Sequence, residues 1–503
     1  MIGRLGGAPR STRILVVLVA AHVVLQVLLL TFVSRVDLIG DQVAYSDGAM
    51  ALSNLVRDLV SGGPIHLSEL QRDLVGGGWF TPGSSIALAP LYLVDPHASL
   101  PVLRGYLGLI STLLLLLTML RVRRVLGDLP AIVLMVVPGL VPTWLLFSMA
   151  AWGDLLAGLL ATLLLMELIT MMRTIVAGSP PRVLDGVRLG AIAVATVYAR
   201  SSTTVVVLGT GVVLGVTALV ALRGRLRRRA ILGLVVAAGT FGAILAPWSA
   251  FASYTLKAPV LTTTTVPVVM SVTFGDPDRL CFGPCDPVQD PGSLTGTVWF
   301  PPMQYSREVA RATGRSEVEV EKQMWTYTRA SVTPQSYGRD VIADFGRYAG
   351  KPASFAKLLL PGGPHGVGYW LVVVLTYLGW IPLLVASFAL ILRTVRTSVD
   401  HQVVALLTAV ALVALFTQPF VHVGSGRYWT TAAPLAAIAL ALLIQVRDAR
   451  RPIPRFARAP WTAGPQPTPA PAPLVGHWLL LAQRTVAAAT LSAILVVLAL
   501  GLM

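Results

Sequence analysis

Apolar runs of about 17 to 25 residues, each long enough to cross roughly 30 Å of hydrocarbon, recur along nearly the whole chain, and they leave few folds open to it. About eleven stand near 13–33, 103–121, 129–148, 154–172, 187–199, 202–222, 230–249, 367–392, 402–420, 429–446 and 485–503. The expectation is an all-α polytopic membrane protein. Of the 503 residues 55% are hydrophobic and 12% charged, whereas a soluble domain has about a quarter of its residues charged. The first run lacks a small-residue cleavage site before the polar loop that follows, so it reads as a retained helix.

A formal charge of +16 raises nucleic acid as a partner, and its distribution argues against one. The arginines gather in short loops, "RVRR" at 121–124, "RGRLRRR" at 223–229, "RTVR" at 393–396 and "RDARRPIPR" at 447–455. These loops alternate with loops poor in Arg and Lys, the positive-inside pattern. The clusters therefore mark the cytoplasmic face and contact anionic membrane lipids. With the N-terminus cytoplasmic in a plasma membrane, segments 34–102 and 250–366 lie outside, as do short turns near 149–153 and 421–428. The chain then divides into a transmembrane module 1–249 that includes outer loop 34–102, an extracytoplasmic loop domain 250–366, transmembrane helices 367–446, a Pro/Ala-rich cytoplasmic linker 447–484 and a last span 485–503.

The first outer loop carries helical signals. From Tyr45 to Val60 the residues Leu52, Leu55, Val56 and Leu59 recur at helical spacing, which suits a helix lying in the membrane interface. "LSELQRDLV" adds a shorter amphipathic piece, and "GGGWFTPGSSIALAPLYL" breaks the helix before an apolar stretch that dips back toward the bilayer. In the second outer segment "SEVE" at 316–319 reads as a capping box opening a helix through Met324 and Trp325. "CFGPC" there sets Cys281 and Cys285 around a Phe-Gly-Pro turn; outside the cytoplasm a local disulfide is expected, the alternative being two free thiols.

Two acidic residues fall at the same predicted surface. Asp41, in "IGDQVAY", follows the first span, and Asp154, in "MAAWGDLLAG", lies at the turn between the third and fourth. Each taken alone reads equally well as a helix cap. Arg200, in "VYARSSTTV", reads as a residue fixing the turn between two helices. Glu167 lies roughly 20 Å below Asp154 at a helix's rise per residue; it is expected near the cytoplasmic headgroups or paired with a neighbouring helix.

Taken together, the neighbouring stretches "VDLIGDQVAYSDGAMALSNL", "FTPGSSIALAPLYL" and "VLRGYLGLISTLLLLLTMLRVRRVLG" resemble the opening of GT-C glycosyltransferases of the aminoarabinose-transferase and protein O-mannosyltransferase type. The positions that carry the resemblance are Gly40, Asp41, Tyr45, Pro82, Gly83 and Arg104. "APWSAFASYTLKAPV", "GKPASFAKLLL" and "GSGRYWTTAAPLAAIAL" extend it in order across roughly residues 13 to 446. Gln42 departs from the acidic residue common after the first Asp, and Ser249 and Ala250 from the Arg-Asn common after Pro-Trp.

The resemblance implies transfer of a sugar from a polyprenyl-phosphate donor to a hydroxyl of a glycan, lipid or protein acceptor. An acceptor hydroxyl is a poor nucleophile until its proton has somewhere to go, and Asp41 is the expected general base. Asp154 is then a second acidic group, orienting acceptor, phosphate or a divalent cation. Charge develops on the departing phosphate and calls for cations beside it; Arg427 and His422, in "VHVGSGRYW", are the candidates, with Lys257 a weaker one. Arg427 also reads as an arginine snorkelling to lipid, and His422 as a satisfied structural histidine. Tyr45 and Tyr428 are expected to touch substrate. A base without a protein nucleophile implies inversion at the anomeric carbon. Heavy use of Arg, Ala, Gly, Leu and Val marks a GC-rich coding sequence, which favours mannose or arabinose and leaves galactose, glucose and aminosugars open.

Two rival classes stand beside this reading. A secondary transporter or flippase would suit the helix count, but transporters place sites near the midplane and often show two similar halves; no convincing internal repeat is visible here. A non-catalytic scaffold would leave the paired aspartates without a reason.

Overall fold

Hydropathy decides where helices form in this protein, while proline and glycine decide where several of them stop. The computed structural model describes residues 9–275, 310, 314–422, 426–448 and 473–502, and among these every regular element is helical. The first part of the chain forms α1 (Arg10–Val33), α2 (Asp41–Ser61), α3 (Gly83–Val94), α4 (Leu100–Leu126), α5 (Asp128–Val136), α6 (Pro142–Ser148), α7 (Asp154–Val176) and α8 (Val183–Ala199). Then come α9 (Thr204–Ala221), α10 (Gly224–Leu256), α11 (Thr265–Phe274), α12 (Glu317–Ser331) and α13 (Pro334–Gly350). The remainder is α14 (Val367–Leu392), α15 (Val399–Phe416), α16 (Trp429–Asp448) and α17 (Pro473–Leu502).

Nine of these described helices are long and apolar enough to cross a membrane, namely α1, α4, α7, α9, α10 and α14 to α17. Two expected spans fall short. The run 129–148 is broken into α5 and α6, because Pro138 and Pro142 lack the N–H that a continuous helix needs, and Gly139 sits between them. The run 187–199 becomes α8, of 17 residues. At the other end of the chain α17 starts at Pro473, so helix takes in part of the segment expected as linker. Residues 449–472 lie outside the described residues, as do Cys281 and Cys285.

The expected helices of the two long loops are present. α2 packs on α3, where the Ser53 hydroxyl donates to the Ala89 carbonyl at 2.7 Å. A helical turn at Leu67–Glu69 and a six-residue π-helical stretch at Leu70–Val75 follow α2 and pack beside it. The capping box at Ser316 forms, its hydroxyl accepting from the Glu319 N–H, and α12 runs on through Met324 and Trp325. Buried hydrogen bonds join the two loops: the Trp79 indole N–H donates to Glu321 on α12 at 2.6 Å, and the Thr264 hydroxyl donates to the Gly77 carbonyl at 2.9 Å.

The central helices are α7, α15 and α16, whose apolar side chains supply much of the main core. Ion pairs tie the arginine-rich ends of the helices together, Arg123 to Asp128 at 2.6 Å and Arg173 of α7 to Asp400 of α15 at 2.5 Å. Glu167 belongs to this set, since it pairs with Arg121 of α4 at 2.9 Å. The opposite, arginine-poor ends hold the turns 34–40, 149–153, 200–203 and 426–428.

At that end the chain crowds. A Cβ at Gly153 would overlap the Ala199 carbonyl oxygen and lie 2.9 Å from the Ser84 hydroxyl. Gly153 thereby lets the start of α7 meet the end of α8 and the start of α3. Gly153→Ala is expected to lower stability by about 1–3 kcal/mol through overpacking, read as a fall in the thermal midpoint of the purified protein. An unchanged midpoint would mean that this approach is not needed.

Candidate functional site

Asp41 and Asp154 hold the same local position. Each is the first residue of a helix and follows a glycine, Gly40 before α2 and Gly153 before α7. Gly40 has φ 55°, a region that L side chains rarely adopt. A carboxylate in the first helical turn is favoured by the helix dipole. The cap position itself is held by the glycine in each helix, so neither aspartate is the capping residue. Both carboxylates turn instead toward arginine.

Arg104 holds the two turns together. Fully buried near the start of α4, it donates to the Gln42 side-chain oxygen at 2.6 Å, the Met149 carbonyl at 3.1 Å and the Val36 carbonyl at 3.1 Å. The same Gln42 oxygen accepts from the Ala151 N–H at 3.3 Å. Segments that carry Asp41 and Asp154 are thus tied through one guanidinium and one amide. As a neutral acceptor, Gln42 serves both donors without adding a charge.

The carboxylates meet two arginines. Arg427 Nη2 donates to Asp41 Oδ2 at 2.6 Å, and its Nε lies 3.5 Å from Asp154 Oδ2. Arg200 Nη1 forms an ion pair with the other oxygen of Asp154. Asp154 is the most enclosed of the four, 2% exposed, against 24% for the Asp41 side chain. Aromatic rings fix the guanidiniums from the sides. Arg200 lies over the Tyr428 ring at 3.9 Å, and Arg427 has Trp152, Phe355 and Tyr428 at 5.3 to 5.6 Å, distances at which a ring face attracts a cation. The Tyr428 hydroxyl is within hydrogen-bond reach of His422 Nε2, 3.1 Å away.

These groups line one cavity of about 430 Å³. Its polar and charged lining includes Asp41, Tyr45, Asp154, Arg200, His422, Arg427 and Tyr428. Its apolar lining includes Trp79, Phe80, Val268, Val269 and Val272, with Phe355 and Leu358. Burial, helped by the charge of Asp41, pushes the Tyr45 phenol above its ordinary value, so its hydroxyl stays protonated as a hydrogen-bond donor. For Arg427 burial works against the charge, yet the charge of Asp41 leads the causes that act the other way, its hydrogen bond among them, and the pKa of Arg427 stands above the ordinary guanidinium value.

Six of the residues singled out in the sequence therefore share this cavity: Asp41, Tyr45, Asp154, His422, Arg427 and Tyr428. Lys257 does not line it; it caps the end of α10 in a left-handed conformation. Arg200 does more than fix a turn, because its guanidinium is the closest partner of Asp154. The signal for it was available, since an arginine on the arginine-poor side of a chain sorted by the positive-inside pattern is out of place unless it has an anion to meet. Trp79 and its hydrogen bond to Glu321 had no signal, as the two residues are 242 positions apart.

Among the described residues no group of three or more His, Cys, Asp or Glu side chains is arranged to hold a metal ion. Both carboxylates of the cavity face guanidiniums instead, so the residues do not fit a divalent cation. No protein-family model matches the chain, and no curated protein matches it. Fold and cavity define a protein whose described residues form helices, several of membrane-crossing length, with a charged cavity at their arginine-poor ends.

Removing one partner of a buried ion pair leaves the other charge uncompensated, a loss of about 3–5 kcal/mol. Asp154→Leu is expected to cost that much, because Arg200 then stays enclosed without its anion. Asp41→Asn is expected to cost less, since Asp41 is partly exposed and Arg427 keeps Asp154. Thermal unfolding of the two variants side by side checks the order; a larger loss for Asp41→Asn would contradict it.

Proposed function

We propose that this protein is a glycosyltransferase of the GT-C type that moves a sugar from a polyprenyl-phosphate donor to an acceptor hydroxyl on the extracytoplasmic face of the plasma membrane. The observation that carries the reading is the convergence of two carboxylates and two arginines in a cavity that apolar and aromatic side chains also line. A polyprenyl phosphate likewise joins an anion to hydrocarbon. The arginine-rich helix ends lie opposite the cavity, and the positive-inside rule then assigns the cavity to the outer side.

In the transfer the acceptor oxygen forms a bond to the anomeric carbon as the bond from that carbon to the phosphate oxygen breaks. The acceptor proton goes to Asp41, and the phosphodiester, with one negative charge, leaves as a monoester with two. Loss of the charge on Asp41 therefore balances the charge gained by the phosphate. Arg427 and Arg200 supply fixed positive charge where that second phosphate charge develops, which is where preorganised groups lower a barrier most. Tyr45 and Tyr428 are placed to donate to sugar or phosphate oxygens, and inversion follows from attack without a protein nucleophile. A cavity at the helix ends suits surface chemistry better than the midplane site of a transporter. Mannose or arabinose remains the favoured sugar on compositional grounds.

General-base catalysis contributes about 10²–10⁴-fold. In liposomes carrying a panel of polyprenyl-phosphate sugars and envelope extract, the wild type is expected to consume one donor and Asp41→Asn to fall by that factor at equal protein level. Equal turnover by the variant would remove Asp41 from the reaction.

A further inference from the structure

Resting on the reading just given, the cavity poses a problem of charge. Asp41 and Asp154 together carry two negative charges, and Arg200 and Arg427 two positive ones. An arriving phosphate therefore finds no guanidinium without a carboxylate beside it. The Asp41 Oδ2 oxygen is also engaged by Arg427 Nη2 at 2.6 Å, so that oxygen cannot at the same time accept the hydrogen bond of an acceptor hydroxyl. Both difficulties have one solution. We propose that the donor phosphate binds by displacing Asp41 from Arg427, and that this exchange releases the carboxylate to act as base.

The geometry selects which of the four groups moves. Arg427 is held on its sides by Trp152, Phe355 and Tyr428 and by its second contact with Asp154. Asp154 is locked in turn by Arg200 and is 2% exposed. Asp41 is the most exposed member at 24%, and among the described residues its side chain is held by the one bond from Arg427 Nη2. Guanidinium and phosphate make strong, geometrically specific pairs, so the phosphate takes over the Nη2 edge and the Asp41 side chain turns toward the open part of the cavity. Base and donor are coupled: without a donor the carboxylate stays occupied, and an acceptor or a water molecule meets no free base. The donor consequently binds first and the acceptor second.

The exchange makes a prediction opposite in sign to that of a carboxylate that helps hold the donor directly or through a bridging cation. Asp41→Asn and, as a second variant, Asp41→Ala are expected to bind a long-chain polyprenyl monophosphate more tightly than wild type, although both are inactive. The expected gain is about tenfold, which corresponds to ~1.4 kcal/mol of ion pair no longer broken. Arg427→Gln is expected to lose binding by a similar factor, alone and in combination with Asp41→Asn. Titration of the full-length proteins in lipid nanodiscs, with thermal midpoints as the folding control, reads all four. If the wild type binds the lipid and the Asp41 variants bind it equally or more weakly, the exchange is wrong while the glycosyltransferase reading stands. If tightening occurs but survives loss of Arg427, the exchange is also wrong, because another group holds the phosphate. If the folded wild type binds no polyprenyl phosphate, the proposed function itself fails.

Discussion

The buried guanidinium of Arg104 organises the arginine-poor end of this protein. A charge enclosed near the end of an apolar helix is costly unless its donors are used. Here its two terminal nitrogens donate to the Gln42 side chain and to the carbonyls of Val36 and Met149. Those bonds tie together the segments that carry the two cavity aspartates. The turn ending at Gly40 sets Asp41, the turn ending at Gly153 sets Asp154, and the distance between them is short enough for one arginine, Arg427, to reach both.

The second feature is that all the charge in the cavity is matched. An isolated buried carboxylate would take up a proton to escape the cost of desolvation. Pairing keeps both aspartates in contact with guanidinium and leaves the ring faces of Trp152, Phe355 and Tyr428 to hold the arginines sideways. A cavity built in this way is stable when empty. It is also primed, since any anion able to compete for Arg427 changes the state of Asp41.

Much of the fold was legible because hydrocarbon imposes a simple rule on the chain. Run length and apolarity located α1, α4, α7, α9 and α14 to α16 to within a few residues. The capping box at Ser316 located α12 because two side-chain to backbone bonds are encoded in four residues. The break between α5 and α6 was written in Pro138 and Pro142 but overridden by the hydropathy around them. For the cavity, Asp41, Asp154 and Arg427 were legible through topology: each falls at a helix start or turn on one predicted face. What sequence could not supply was pairing. That Arg427 meets Asp41 across 386 positions, that Arg200 meets Asp154, and that Trp79 rests on Glu321 are consequences of how whole helices pack, and no local pattern records them.

The span of the Asp41–Arg427 pair has a consequence for how the protein comes to exist. Chains are made at about 5–20 residues per second, so the 386 positions between the two residues separate their births by roughly 20 to 80 seconds. Asp154 obtains Arg200 soon after it emerges, but Asp41 spends that whole interval without its cation. Asp41 and Arg427 can pair only once the turn before α16 has been made. A nascent or prematurely ended chain therefore differs from the finished protein in carrying Asp41 without this partner.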